Sequence, residues 1–146
     1  MSTTVPEVPG IWPEPRDIEV IRTTFAKVKL TPEEAGLKFY QRLFETAPQV
    51  RPMFPADLKP QAGKLFQTLG VLVASLDRVG ELLPVLRSMG QRHKAYGAEP
   101  DHYAAVGAAL LWTLEQELGD AFTEEAQDDW TRLYTLVSRV MVEGAQ

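Results

Sequence analysis

Apolar residues recur at spacings of three and four along nearly the whole chain, and no alternating run is bounded by hairpin turns. The spacing is that of amphipathic helices, and the signals of half-buried strands are nearly absent, so the chain is expected to build helices. Ile18, Ile21, Phe25 and Val28 form the first stripe. Leu37, Tyr40, Leu43 and Phe44 form the second, opened by Thr31-Pro32-Glu33-Glu34 and stopped near Thr46-Ala47-Pro48. Thr31 suits a cap, Pro32 the first helical position, and Glu34 the reciprocal side of a capping box. Leu65, Leu69, Leu72, Val73 and Leu76 give a third helix. A fourth covers about Val79 to Lys94, bent or started at Pro84. The fifth starts at Pro100 and carries Tyr103, Val106, Leu110, Leu114 and Leu118; the last opens at Thr123-Glu124-Glu125 and carries Trp130, Leu133, Val137, Val140 and Met141. The expectation is an all-α domain of six or seven helices.

Prolines set the punctuation. Pro48, Pro52, Pro55 and Pro60 break the chain into a turn-rich corner, which argues against a plain four-helix bundle with short regular loops. Pro6, Pro9, Gly10, Pro13 and Pro15 crowd the start, so residues 1–15 read as an extended arm preceding a domain over 16–146.

Composition removes whole classes of function. There is no cysteine among the 146 residues, which excludes disulfides, thiolate nucleophiles and thiolate-held metals. Net charge is −5 with no basic cluster, so nucleic acid is not an expected partner. The opening residues do not form a secretory signal and no apolar run is long enough for a bilayer, giving the expectation of a soluble cytoplasmic domain without a membrane partner. No Gly-x-Ser-x-Gly turn or phosphate-cradling glycine loop is present.

Chemistry then falls to two histidines, His93 and His102. His93 has no acidic residue three or four positions before it, and Glu99, three before His102, precedes the helix start at Pro100, so a metal site built from side chains alone is poorly supported. His93 lies near a helix end between Arg92 and Lys94, where a solvated histidine is the ordinary outcome. Against that, Leu82, Leu86 and Met89 run at four and three, and His93 continues their row at four. A histidine on that apolar face is either hydrogen-bonded in place or bound to something. His102, beside Asp101 at a helix start, reads as exposed and structural. The acidic pairs Glu124/Glu125 and Asp128/Asp129 read as a solvated helix face.

Four segments carry a resemblance. They are Lys38-Phe39-Tyr40-Gln41-Arg42-Leu43-Phe44, Pro48-Gln49-Val50-Arg51-Pro52-Met53-Phe54, Arg92-His93-Lys94-Ala95-Tyr96-Gly97 and His102-Tyr103-Ala104-Ala105-Val106-Gly107. In this order and spacing the chain, from about residue 17 to 143, resembles the bacterial single-domain globins and the globin domain of flavohaemoglobins. The resemblance implies a globin fold, six to eight helices around a pocket for haem b, with His93 as the proximal iron ligand. It places Phe54 flat against the porphyrin, a burial that an ordinary core phenylalanine shares. Tyr40 and Gln61 would lie on the distal side, with Leu65 one turn beyond Gln61. Met89 and Val106 would line the pocket. Lys64 and Arg92 would reach the propionates, or stand as plain surface charges. Gln61 taken alone is as well explained by solvation beside Pro60.

The implied activity is reversible binding of dioxygen, carbon monoxide and nitric oxide. A tyrosine hydroxyl and a glutamine amide stabilise the partial negative charge of captured dioxygen, each hydrogen bond worth roughly 1 kcal/mol. An enzymatic alternative is nitric oxide dioxygenation supported by a separate reductase. In flavohaemoglobins a tyrosine at the position of Tyr103 joins a late glutamate behind the proximal histidine; here an ungapped count puts Ala145 at the glutamate position, with Glu143 two residues early. A third reading, a haem-free sensor or interaction module, is disfavoured by the retained histidine.

Overall fold

The computed structural model describes residues 12–146, and residues 1–11, with most of the expected arm, lie outside them. Six α-helices follow one another: α1 (Pro15–Ala26), α2 (Pro32–Thr46), α3 (Lys59–Ala74), α4 (Val79–Ala95), α5 (Pro100–Leu118) and α6 (Glu124–Gly144). Short 3-10 turns fill Pro48–Met53, Leu76–Arg78 and Gly119–Ala121, and no strand occurs among the described residues. Proline stands in the first turn of α1, α2 and α5, where its missing N–H is no loss. At the start of α2 the capping box forms as the sequence requires. Glu34 N donates to Thr31 Oγ1 at 3.2 Å and Thr31 N to Glu34 Oε1 at 2.9 Å. Pro84 lies inside α4, which runs through it. No helix among the described residues is long and apolar enough to cross a membrane.

Two close crossings organise the packing. Gly36 of α2 lies against the backbone of Ala62 in α3, where a Cβ would overlap the Ala62 carbonyl. Gly90 of α4 lies in the same way against the Met141 carbonyl of α6, and Gly144 meets the Arg87 backbone one turn further along. Glycine is needed at such points because only a bare backbone lets the helix axes approach so far.

The core divides accordingly. Its larger part gathers Ile21, Leu43, Phe66, Leu76, Leu114, Trp130 and Leu133 from five helices and a 3-10 turn. A smaller part, Leu86 with Val140 and Met141, joins α4 to α6, and Met89 and Tyr103 pack on it. Val137 touches both. Burying one leucine fully is worth roughly 2 kcal/mol, so the larger part supplies most of the stability. Buried polar groups are met within it: Trp130 Nε1 donates to Thr24 Oγ1 at 2.9 Å. Arg22 closes the end of α3, donating to Val73 O at 3.1 Å and to Ala74 O at 2.8 Å.

Asp129 departs from the expected solvated face. It is buried at 4% exposure while its neighbour Asp128 is exposed. Trp12, within the expected arm, packs on the core, and its Nε1 lies 3.4 Å from Asp129 Oδ1. Consecutive residues on a helix point about 100° apart, so one member of an acidic pair can turn inward while the other faces water.

Candidate functional site

The expected site residues come from α2, α3, α4, α5 and the proline-broken corner. Tyr40 follows Gly36 by one turn and therefore shares the face of α2 that meets α3, while Gln61 sits beside Ala62 at the same crossing. Tyr40 is buried in an aromatic group: Phe39 at 5.0 Å edge-on, Phe54 at 5.3 Å edge-on and Phe44 at 5.8 Å stacked, between ring centroids. Burial pushes the Tyr40 phenol above its ordinary value. The hydroxyl thus stays protonated at neutral pH and is a donor, and no hydrogen bond uses it among the described residues.

Gln61 is half-buried, and its Oε1 is sealed from solvent without a hydrogen-bond partner. Solvation beside Pro60 does not describe it. A sealed amide end with no protein partner costs about 1–3 kcal/mol unless something polar meets it. Leu65 follows one turn on, half-buried against the main core, and Lys64 points to solvent.

His93 is half-buried near the end of α4. Its Nδ1 lies 2.7 Å from the Met89 carbonyl. A carbonyl only accepts, so Nδ1 carries the proton, and in the neutral ring Nε2 is left with a free lone pair. The ring is thereby fixed in tautomer and direction by its own helix. Arg92 and Lys94 beside it are exposed, Arg92 donating to Ser88 Oγ at 3.0 Å and Lys94 to Ala145 O at 3.1 Å. His102 is used differently: its Nδ1 accepts from Glu99 N at 3.0 Å and closes the start of α5.

Tyr103 and Val106 are half-buried on α5. The Tyr103 carbonyl accepts from the Tyr134 hydroxyl at 2.5 Å, and burial raises the Tyr103 phenol as well. Glu143 is exposed, and among the described residues no carboxylate bonds to Tyr103 or His93. A groove of about 600 Å³ runs along the outer side of α5 and α6, lined in part by Tyr103, Gly107, Tyr134 and Arg139. Of the expected site residues it touches Tyr103 alone. No group of three or more His, Cys, Asp or Glu side chains suited to a metal ion occurs among the described residues. Iron would therefore need a cofactor that brings its own ligands.

The residues present fit haem on three counts: a half-buried imidazole with Nε2 free, a sealed glutamine oxygen without a partner among the described residues, and an apolar interior divided into a larger part and a smaller one that joins α4 to α6. Sequence reasoning found each of these residues. It assigned no part to Arg51, whose guanidinium donates to the carbonyls of Phe54, Pro55 and Ala56 and lies over the Phe44 ring.

The chain is 28% identical over 130 residues to a flavohemoprotein of Bacillus subtilis, covering 87% of this chain and 33% of the relative. It is 27% identical over 133 residues to a flavohemoprotein of Vibrio cholerae, with 88% and 34% covered, and 26% identical over 127 residues to one of Oceanobacillus iheyensis, with 85% and 31% covered. The chain spans about a third of the length of these curated relatives. The globin family model matches residues 37–141, a stretch that runs from the Tyr40 helix through the corner and His93 into the last turn of α6, and the chain belongs to the globin family.

Proposed function

We propose that this globin binds haem b through His93 and takes up dioxygen, carbon monoxide and nitric oxide reversibly. The observation that carries the reading is the His93 ring, whose Nδ1–H is committed to the Met89 carbonyl at 2.7 Å and whose Nε2 is free as a ligand. A hydrogen bond on the far nitrogen fixes ring orientation and raises ligand basicity. When bound, haem supplies an iron with an open coordination position for a diatomic molecule.

The chain's own residues do the rest. Tyr40 donates its hydroxyl to the ligand, and burial keeps that hydroxyl protonated. The Gln61 amide is aimed inward without a protein partner, so a polar ligand removes its cost. Phe54, Leu65, Met89 and Val106 exclude water and supply apolar contact. Lys64 and Arg92, both exposed, would meet the propionates. The names of the relatives carry both haem and flavin, and the globin family match over residues 37–141 supports the haem part of that pairing. Nitric oxide dioxygenation with a separate reductase is the less favoured activity, because no carboxylate stands behind His93 or Tyr103 among the described residues.

The test is the absorption spectrum of hemin-reconstituted protein, oxidised, reduced and under carbon monoxide, for wild type and His93→Ala with and without added imidazole. Stoichiometric uptake, a Soret band that moves on reduction and on carbon monoxide, and recovery of the lost band by imidazole are expected. A spectrum indifferent to the substitution moves the ligand away from His93, and absence of haem uptake defeats the reading altogether. Sustained nitric oxide consumption with a supplied reductase would transfer the main function to the enzymatic alternative.

A further inference from the structure

The corner between α2 and α3 is poor in backbone donors, since Pro52, Pro55 and Pro60 have no N–H. Phe54, Pro55 and Ala56 offer three successive carbonyls there, and among the described residues one side chain donates to all of them. Arg51 Nη1 lies 3.1 Å from Phe54 O and 3.1 Å from Pro55 O, and Nη2 lies 3.3 Å from Ala56 O. The same guanidinium covers the face of Phe44 at 5.0 Å from its centroid. Phe44 stands 5.6 Å from Phe54, and both border Tyr40. No ion pair engages Arg51 among the described residues, so its charge is directed at carbonyls and at a ring.

We propose that Arg51 is the positioning residue of the ligand site: by tying the three carbonyls after it and covering Phe44, it holds Phe54 against Tyr40 and so fixes where the Tyr40 hydroxyl points. The effect on ligand binding rests on the role given to Tyr40 above; the effect on the aromatic corner does not. A tyrosine hydroxyl moves only when its ring moves, and the Tyr40 ring is held by Phe39, Phe44 and Phe54, of which Phe54 alone comes from an irregular segment. A planar fork of five donors can span three carbonyls and lie on a ring together, which a lysine ammonium cannot.

The experiment compares wild type, Arg51→Ala, Arg51→Lys, Tyr40→Phe and Arg22→Ala in two states. In the haem-loaded protein the readouts are the C–O stretch of the carbon monoxide complex and the rate of dioxygen release. Both Arg51 variants are expected to take up haem, to move the C–O band toward that of Tyr40→Phe, and to release dioxygen several-fold faster. Arg22→Ala, which loses comparable carbonyl ties at the end of α3, is expected to leave the band in place. In the haem-free protein the readout is the Tyr40–Phe54 ring contact by nuclear Overhauser effect, present in wild type and lost in both Arg51 variants. A wild-type C–O band in both Arg51 variants, alongside a shifted band in Tyr40→Phe, overturns the proposal, as does an unchanged ring contact. If Tyr40→Phe itself has no effect, the ligand role of Tyr40 fails, and the ring contact alone decides the positioning. Should Arg51→Ala not fold, Arg51→Lys supplies every readout.

Discussion

Gly36 and the carbonyl of Ala62 face one another so closely that no side chain fits between them. That contact fixes the approach of α2 to α3 and places Tyr40 and Gln61 at one crossing. Gly36→Ala gains helix propensity and still loses stability, because the methyl group meets backbone that cannot rotate away. A net loss of about 2 kcal/mol or more is expected. Urea denaturation measures it, and a stability equal to wild type would mean that the two helices slide apart at no cost.

Tyr40 and Gln61 separate when each is replaced. Tyr40→Phe keeps the ring and removes the donor, so dioxygen release is expected to quicken by about five-fold, the equivalent of roughly 1 kcal/mol. Gln61→Leu also quickens release, yet it removes a sealed oxygen without a partner, so the haem-free protein is expected to become more stable. Stopped-flow displacement and thermal melting read the two effects. A Gln61→Leu protein less stable than wild type without haem would show that the amide has a partner in solution.

Asp129 gives the chain a pH dependence opposite to that of a salt-bridged carboxylate. Burial and then the neighbouring Asp17 carboxyl push it from 3.8 up to about 6. Between those values the folded protein keeps a proton that the unfolded chain has released. Stability from this group therefore falls as pH rises from about 4 to about 6 and stays lost above. Asp129→Asn is expected to match wild type near pH 4 and to exceed it at pH 7.5 by roughly 1–2 kcal/mol. Denaturation at the two pH values checks this, and a variant weaker than wild type at pH 7.5 would assign the carboxylate a stabilising partner.

The bond from Trp130 Nε1 to Thr24 Oγ1 ties α6 to α1 inside the larger core. Trp130→Phe and Thr24→Val each break it. A double-mutant cycle is expected to return a coupling of about 1 kcal/mol, and purely additive losses would mean that the hydroxyl and indole find water instead.

Much of this was legible in the residues because helices announce themselves locally. The Thr31–Glu34 box, the proline starts and the 3–4 spacing are all short-range devices, and the six helices appear near where they put them, with Val28 beyond the end of α1 and Leu76 in the 3-10 turn after α3. His93 was readable for the same reason, as its row with Leu82, Leu86 and Met89 lies on one helix. What stayed illegible depends on distant contacts. Gln61 has the same neighbours in sequence whether its amide is sealed or solvated. Asp129 turns inward through Trp12, 117 positions away. Arg51 gains its meaning from carbonyls that a proline-rich corner happens to leave without other donors.

The division of the apolar interior divides the stability as well. The larger part contains no residue of α4, whereas α4 rests on a three-residue cluster that it shares with α6. The helix bearing His93 is accordingly expected to open at a lower free energy than the larger part, which native-state hydrogen exchange reads. A prosthetic group held through His93, as proposed, would raise that free energy, since a ligand that binds only the closed form draws the population toward it.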